Sequence, residues 1–445
     1  MLERTGLRPV LMVAEKFPPH ATPGATRPFF FARHLCDFGY RPIVLTSPLV
    51  RGDRSDPDLL RQLPADVEVV RAFRSSAAAR LAFPSLRLGD SAAASAVPPP
   101  GRLASRLATV GESAAWLALW HLDWLPAALA RGVSVGRRRA VQMVWVTAPH
   151  MKNLVLGYAL SRALDRPLIV DLRDPWTYGS LWQPISRLTE KVERRWARRI
   201  LGAASLIVFT SPLTQREMEA RFPRLRGKCT TITNGYSAEE RAIEPLRGNG
   251  AGTFLMRHVG TLNDRRTPEV LLRALELAID RHPALRATLH LEFVGDLGGC
   301  ESTLFESSVA SCISARGHVA RAESLALMRG ADVNVLLQTV TAGADVIAGK
   351  TFDYLASDKP ILAVVDPRGG DTWLLKQFEG PAISSCADAH AAADAILALH
   401  ARWTMGTLPS VKGNLAAYER RHLTQRLAEE LDRCQLAPAE SLSKR

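Results

Sequence analysis

The sequence predicts an α/β protein built from two Rossmann-like, doubly wound domains. Three observations carry this. Apolar runs of strand length recur and alternate with helical patterns: Arg8–Ala14, Pro42–Thr46, Val141–Thr147, Pro167–Asp171 and Leu206–Phe209, then Phe254–Val259, Leu289–Gly295, Ala331–Leu337 and Ile361–Val365. Runs this continuous belong to strands covered on both faces, as in parallel sheets. Each half opens as strand, glycine-bearing loop and helix. The 445 residues also exceed what one compact core usually holds.

Composition narrows the class. Hydrophobic residues make up 47% and charged ones 23%, the balance of a soluble globular chain. No run reaches the length of a membrane span. The apolar start Pro9–Ala14 is too short for a signal peptide, so a cytoplasmic protein is expected. The six cysteines include no C-x-x-C pair, so neither a disulfide framework nor a zinc cluster is expected. The net charge of +13 favours acidic partners: nucleotide diphosphates, phospholipid surfaces or nucleic acid. An Arg-rich composition inherited from a high-GC genome explains it equally well. The chain has no nucleic-acid motif and no short repeat.

In chain order, the first strand runs into Phe17-Pro18-Pro19-His20-Ala21-Thr22-Pro23-Gly24-Ala25-Thr26-Arg27. A helix of about Pro28 to Phe38 follows, and Gly39 stops it, as Gly commonly does. Residues 75–110 are rich in Ala, Ser and Pro and read as an exposed insertion. Trp116, Trp120 and Trp124 fall on one helical face. Packing is their ordinary use. The sharper alternative is a membrane-edge or lipid-acceptor face, because Arg131 and Arg137–Arg139 lie close by.

The strand Val141–Thr147 ends at Ala148-Pro149-His150, and Pro167–Asp171 runs into Leu172-Arg173-Asp174-Pro175-Trp176. A carboxylate and a cation at a strand C-terminus suit a ligand, and equally a local ion pair. His150 sits at such an end too, although a lone His is more often structural. The helix Ser186–Leu201 has an apolar stripe at Leu188, Val192, Trp196 and Ile200. Asn234-Gly235 is a turn former marking a boundary, and Ser237–Gly252 reads as an inter-domain linker.

The second domain starts with Phe254–Val259 and a loop from Gly260 to Pro268. Its central stretch is Thr341–Asp366, TAGADVIAGKTFDYLASDKPILAVVD. The pattern is loop, helix of about Lys350 to Ser357, turn and buried strand. Asp345 and Asp353 bracket Lys350 and Thr351 at the helix start. A helix N-terminus offers free N–H groups and partial positive charge, a ready seat for phosphate. One reading is a phosphate-loop NTPase using Ala344-x4-Gly349-Lys350-Thr351, with Ile361–Asp366 as the magnesium-holding strand.

A longer match competes with it. Asp345-x7-Asp353, then Lys350-Thr351-Phe352-Asp353-Tyr354-Leu355-Ala356 and Pro360-Ile361-Leu362, resembles the donor site of retaining, family 4-like glycosyltransferases of GT-B fold. The opening F-P-P segment through Gly24, the fragment Asp171 to Trp176, Asn234-Gly235 and Gly317-His318-Val319 resemble the same family. The resemblance covers most of the chain except about 50–125.

It implies two Rossmann-like domains facing across a cleft. An N-terminal acceptor domain would span 1–240, with an insertion at about 75–125. A donor domain would span 241–412, and a helix in 413–445 would cross back to the first. It implies transfer of a sugar from a UDP- or GDP-sugar to a saccharide or lipid-linked acceptor, with retention. No cofactor or metal is implied, nor any nucleic acid. Peripheral contact with the inner face of a membrane and a role in envelope or exported polysaccharide synthesis fit the family. By resemblance, Arg266 and Lys350 hold the diphosphate, with Thr261 replacing an expected Arg. Gly24, Gly295, Val319 and Thr351 border the donor. Asp353 takes the ribose and Asp345 the sugar. Asp174, Arg173 and Arg266 would be the catalytic residues, with Arg173 and Asp174 bordering the acceptor and His150 and Trp176 on the acceptor side. A non-catalytic relative that binds a nucleotide sugar is the third reading.

Overall fold

In this computed structural model the described residues are 6–49, 53–73, 124–148, 151–178, 182, 184, 186–248, 252–263, 266–338 and 345–436. The chain divides into two compact units. One comprises Met1–Phe209, Gln215–Thr231 and Thr424–Arg445, and the other Thr210–Thr214 and Ile232–Leu423.

The first unit holds β1 (Arg8–Val13), β2 (Tyr40–Thr46), β3 (Glu68–Arg71), β4 (Met143–Thr147), β5 (Leu168–Leu172), β6 (Leu206–Phe209) and β7 (Cys229–Thr231). They form one parallel sheet in the order β3-β2-β1-β4-β5-β6-β7. Val13 pairs with Leu45 on one side and Val146 on the other. The order reverses between β1 and β4, and ligands of open α/β sheets gather beyond the strand C-termini at such a point. The inner strands are buried along most of their length, which is why they read as apolar runs.

The second unit holds β8 (Phe254–Val259), β9 (Leu289–Val294), β10 (Ile313–Arg316), β11 (Val333–Leu337), β12 (Ile361–Val365) and β13 (Ala382–Ser385). Their order is β10-β9-β8-β11-β12-β13, again all parallel, with the reversal between β8 and β11. Its core packs on both sheet faces, with Leu271, Leu275, Phe293 and Ile396 in one cluster and Phe352, Leu355, Leu336 and Leu374 in another.

Three expected elements differ. The first helix spans Pro23–Leu35, so Gly24 lies in its first turn and not in a loop. Pro23 starts it with φ already fixed and no N–H to lose. The helix Arg187–Ala203 buries Thr189, Glu193, Ala197, Ile200 and Leu201, while Leu188 is 55% exposed. The buried face is offset by one residue from the expected stripe because Glu193 points inward and accepts the Trp182 indole N–H. The last helix, which the apolar positions Leu423, Leu427 and Leu431 place at about Leu415 to Asp432, begins instead at Arg420, after a 3-10 turn at Leu415–Tyr418, and runs to Leu436 with those three leucines buried.

Trp124 is fully buried at the head of the helix Leu125–Arg138, which is packing, not a membrane face. Trp116, Trp120 and most of the insertion lie outside the described residues. Among the described residues, no helix is long and apolar enough to cross a membrane.

Candidate functional site

In the second unit, the chemistry gathers where β8 and β11 part. β8 is followed at once by Gly260, whose φ is +134°, and β9 by Gly295, with φ +128°. Both are in backbone space that side chains rarely adopt. A Cβ on Gly295 would lie 2.9 Å from the Gly260 carbonyl carbon, and a Cβ on Gly260 only 2.5 Å from Lys350 Nζ. Two strand ends therefore close together, and the lysine passes through the gap.

Lys350 comes from the helix Gly349–Ala356, which the sequence starts with Gly, Lys and Thr. No side chain of its own caps this helix. The cap is tertiary. Asp371, from the neighbouring helix Gly370–Leu375, accepts the Ala348 N–H at 3.0 Å and the Thr351 hydroxyl. Thr351 is therefore fully buried, with its hydroxyl committed to the Asp371 carboxylate. A phosphate loop needs that hydroxyl on magnesium, so the NTPase reading loses its metal ligand.

The Lys350 ammonium lies 3.1 Å from His258 Nε2. Arg266, from the loop after β8, donates to Gln338 Oε1 at 3.3 Å at the end of β11. Burial drives the Lys350 pKa well below the ordinary lysine value. The Arg266 charge adds to this, and Asp371 opposes it. A lysine is thus held against a guanidinium at a helix N-terminus, and an anion relieves both.

Asp353 lies one turn further along this helix and is 7% exposed. Arg321, heading the helix Arg321–Gly330, donates to both its oxygens, at 3.0 and 3.3 Å. The same guanidinium donates to Glu240 at 2.7 and 2.9 Å, and Arg420 adds a third bond to Glu240 at 3.0 Å. Burial pushes the Glu240 carboxyl up, but the two guanidiniums outweigh it and the net shift is down. Val319 packs against the apolar cluster under Asp353. Asp345 is partly buried, and its carbonyl accepts the Thr214 hydroxyl at 3.2 Å.

In the first unit, Arg173 donates to the carbonyls of Ala148 and Gly24, the latter at 2.8 Å. The reason lies in the sequence. Pro28 sits four residues after Gly24 inside the helix and has no N–H for that carbonyl. Arg173 supplies the missing donor. Behind it Asp171, fully buried, takes Arg27 at 2.8 Å and Thr147 at 2.7 Å. Asp174 is partly buried beside Arg173, whereas Trp176 is 6% exposed within the core. His150 lies outside the described residues.

Solved structures of two-unit α/β proteins match nearly the whole chain. HepE of Anabaena, in complex with UDP and glucose, is 15% identical, with a TM-score of 0.58, covering 96% of this chain and 100% of that one. Sucrose-phosphate synthase of Thermosynechococcus elongatus is 15% identical, with a TM-score of 0.57, over 96% and 98%. The fold is GT-B. It hosts more than one chemistry: a putative UDP-N-acetylglucosamine 2-epimerase of Listeria monocytogenes is 10% identical, with a TM-score of 0.53, over 96% of each chain.

No protein-family model matches this GT-B chain. A curated relative, the potassium-binding subunit of the potassium-transporting ATPase of Kineococcus radiotolerans, is 30% identical over 114 residues. That is 26% of this chain, which spans only 20% of that subunit's length.

Within the GT-B fold, sequence reasoning missed His258, Arg321, Glu240 and Asp371. The Arg257-His258 pair inside an apolar strand was a usable signal. The other three carry none, because their partners lie far along the chain.

Proposed function

We propose that this protein transfers a sugar from a nucleoside diphosphate sugar to a hydroxyl acceptor, with retention and without a bound metal. One observation carries the reading: Lys350 and Arg266 converge at the β8–β11 switch point, beside the N-terminus of the Gly349–Ala356 helix. The only hydrogen bond Lys350 makes among the described residues is to a neutral imidazole. A diphosphate suits that arrangement. As the glycosidic bond breaks, the leaving diphosphate gains charge, and fixed cations stabilise that state more than the bound donor.

The remaining roles are those the family resemblance suggests. Asp353 takes the ribose hydroxyls, since each carboxylate oxygen can accept more than one bond. Asp345 faces the sugar, and Gly295 and Val319 border the nucleotide. Asp174, with Arg173 ordering the backbone behind it, borders the acceptor. The acceptor oxygen replaces the phosphate oxygen at the anomeric carbon, and its proton passes to the leaving diphosphate. A saccharide or lipid-linked acceptor in envelope or exported polysaccharide synthesis fits. So does work at an anionic membrane surface, because the helix Arg187–Ala203 exposes Arg187, Lys191, Arg195, Arg198 and Arg199.

The test is a thermal-shift panel of UDP, GDP, ADP, their sugars and ATP, with and without magnesium. Ligands that bind the folded state raise the melting point. A magnesium-independent shift with UDP or GDP, lost in Lys350→Met and in Asp353→Ala, supports the reading. Product analysis with the best donor then separates transfer from hydrolysis and from mere binding. A shift with magnesium–ATP alone would overturn it.

A further inference from the structure

We propose that His258 is a positioning residue that sets the Lys350 ammonium at the phosphate seat. The inference rests on the donor-diphosphate reading above.

His258 is fully buried in β8, directly at the switch point. Its Nδ1 lies 3.0 Å from the Val335 carbonyl of β11. A carbonyl only accepts, so Nδ1 carries the proton and Nε2 presents its lone pair. That lone pair faces Lys350 Nζ at 3.1 Å. Phe293 packs on the ring with centroids 5.8 Å apart. The imidazole is held at both nitrogens and on one face, so it cannot turn without losing a bond. Burial and the Lys350 charge both hold its pKa well down, which keeps the ring neutral.

The choice of imidazole has a chemical logic. A buried amine needs an acceptor. A carboxylate would supply one but would neutralise the ammonium and compete with an anionic ligand. A neutral ring fixes the amine and leaves its charge for the diphosphate. Gly260, with no Cβ, leaves the passage through which Nζ reaches the seat. The nearby Arg266 charge disfavours the ammonium, and an anion at the seat offsets that repulsion.

The experiment is a binding cycle read by calorimetric titration of UDP and GDP on the full chain. Wild type is compared with His258→Phe, Lys350→Met and the double variant. His258→Phe should weaken the preferred diphosphate about 10-fold. The double variant should bind no more weakly than Lys350→Met, because the ring acts only through the lysine. His258→Gln, whose side-chain oxygen can still accept from Lys350, should recover most of the loss. Additive losses in the double variant, or a His258→Phe that binds like wild type, overturn the proposal and leave the seat standing. A wild type that binds neither diphosphate removes the seat and the proposal with it.

Where the Phe variant does not fold, histidine ¹⁵N resonances of the wild type decide. The Nδ1–H tautomer, with an Nε2 signal that moves in Lys350→Met, is expected. The Nε2–H tautomer overturns the proposal.

Discussion

Arg321 grips both oxygens of Asp353 and both oxygens of Glu240 with a single guanidinium. The carboxylate assigned to the ribose is therefore aimed before any ligand is present. Arg321→Ala should leave the Asp353 carboxylate loose and weaken nucleoside diphosphate binding roughly 5- to 10-fold. Asp353→Ala should cost more. Calorimetric titration of both variants checks the order, and an unchanged affinity in Arg321→Ala refutes the aiming role.

Glu240 joins Arg321 to Arg420, and its carboxyl sits below its usual range despite burial. A carboxylate with a depressed folded pKa adds stability above its unfolded value, about 4.3. That stability is lost as pH falls through the lower folded value. Glu240→Gln should melt lower at neutral pH, since two guanidiniums then face each other. It should also lose less on acidification than the wild type. Melting curves from about pH 7 to about pH 3 measure this.

Asp371 caps a helix it does not belong to. Burial pushes its carboxyl up, with Thr351, Ala348 and nearby cations pulling the other way. With a raised folded pKa, the charged form carries a penalty that grows as pH rises above the unfolded value. Asp371→Asn keeps an acceptor for both donors and removes that penalty. Asp371→Ala leaves both unpaired inside. The Asn variant should be more stable than the Ala variant by about 1–3 kcal/mol. Denaturant titration reads the difference, and equal stabilities would refute the cap.

Lys350 faces His258 from β8, Arg266 from the following loop and Asp371 from the Gly370–Leu375 helix. Burial and the Arg266 charge lower its pKa, which should rise when a diphosphate arrives. Binding then takes up a proton, so affinity should fall as pH rises above neutral toward the ordinary lysine value of about 10.4, where the phosphate's own titration near about 6 is complete. Lys350→Arg, which keeps its charge, should flatten the slope. A wild-type affinity that does not change across this range would contradict the coupling.

Arg173 stands in for the N–H that Pro28 lacks. Arg173→Leu should cost about 1–3 kcal/mol by leaving the Gly24 and Ala148 carbonyls unpaired. In a Pro28→Ala background the helix supplies its own donor to Gly24, so the same substitution should cost less. A double-mutant cycle on unfolding free energies reads the coupling, and full additivity would sink the account.

The fold was legible because β1, β4, β5, β8, β11 and β12 are continuous apolar runs, and helices fill the gaps between them. Such patterns are local and survive in one dimension. The loop around Gly260 and the helix bearing Lys350 and Asp353 were legible for the same reason, each being a short contiguous motif. Gly24 was misread as a loop residue because Pro28 looked like a helix start. The structure keeps Pro28 inside the helix by borrowing Arg173, which is 149 positions away. Arg321, Glu240 and Asp371 act through partners 20 to 180 positions distant, and nothing local marks them, whereas His258, 92 positions from Lys350, is marked only by its pairing with Arg257 inside an apolar strand.

The helix Arg420–Leu436 ties back to the beginning of the chain. Tyr40 donates to Asp432 at 2.6 Å, and Arg8 reaches the same carboxylate at 2.6 Å. These are contacts of the first unit across some 400 residues. On the ribosome, the segment from Ile232 to Leu423 has emerged in full before Thr424 does. The second unit can therefore close while the first still lacks its final helix. The half that is synthesised first is the half that finishes last, and the surface its final helix will cover waits through the whole of the second unit's synthesis.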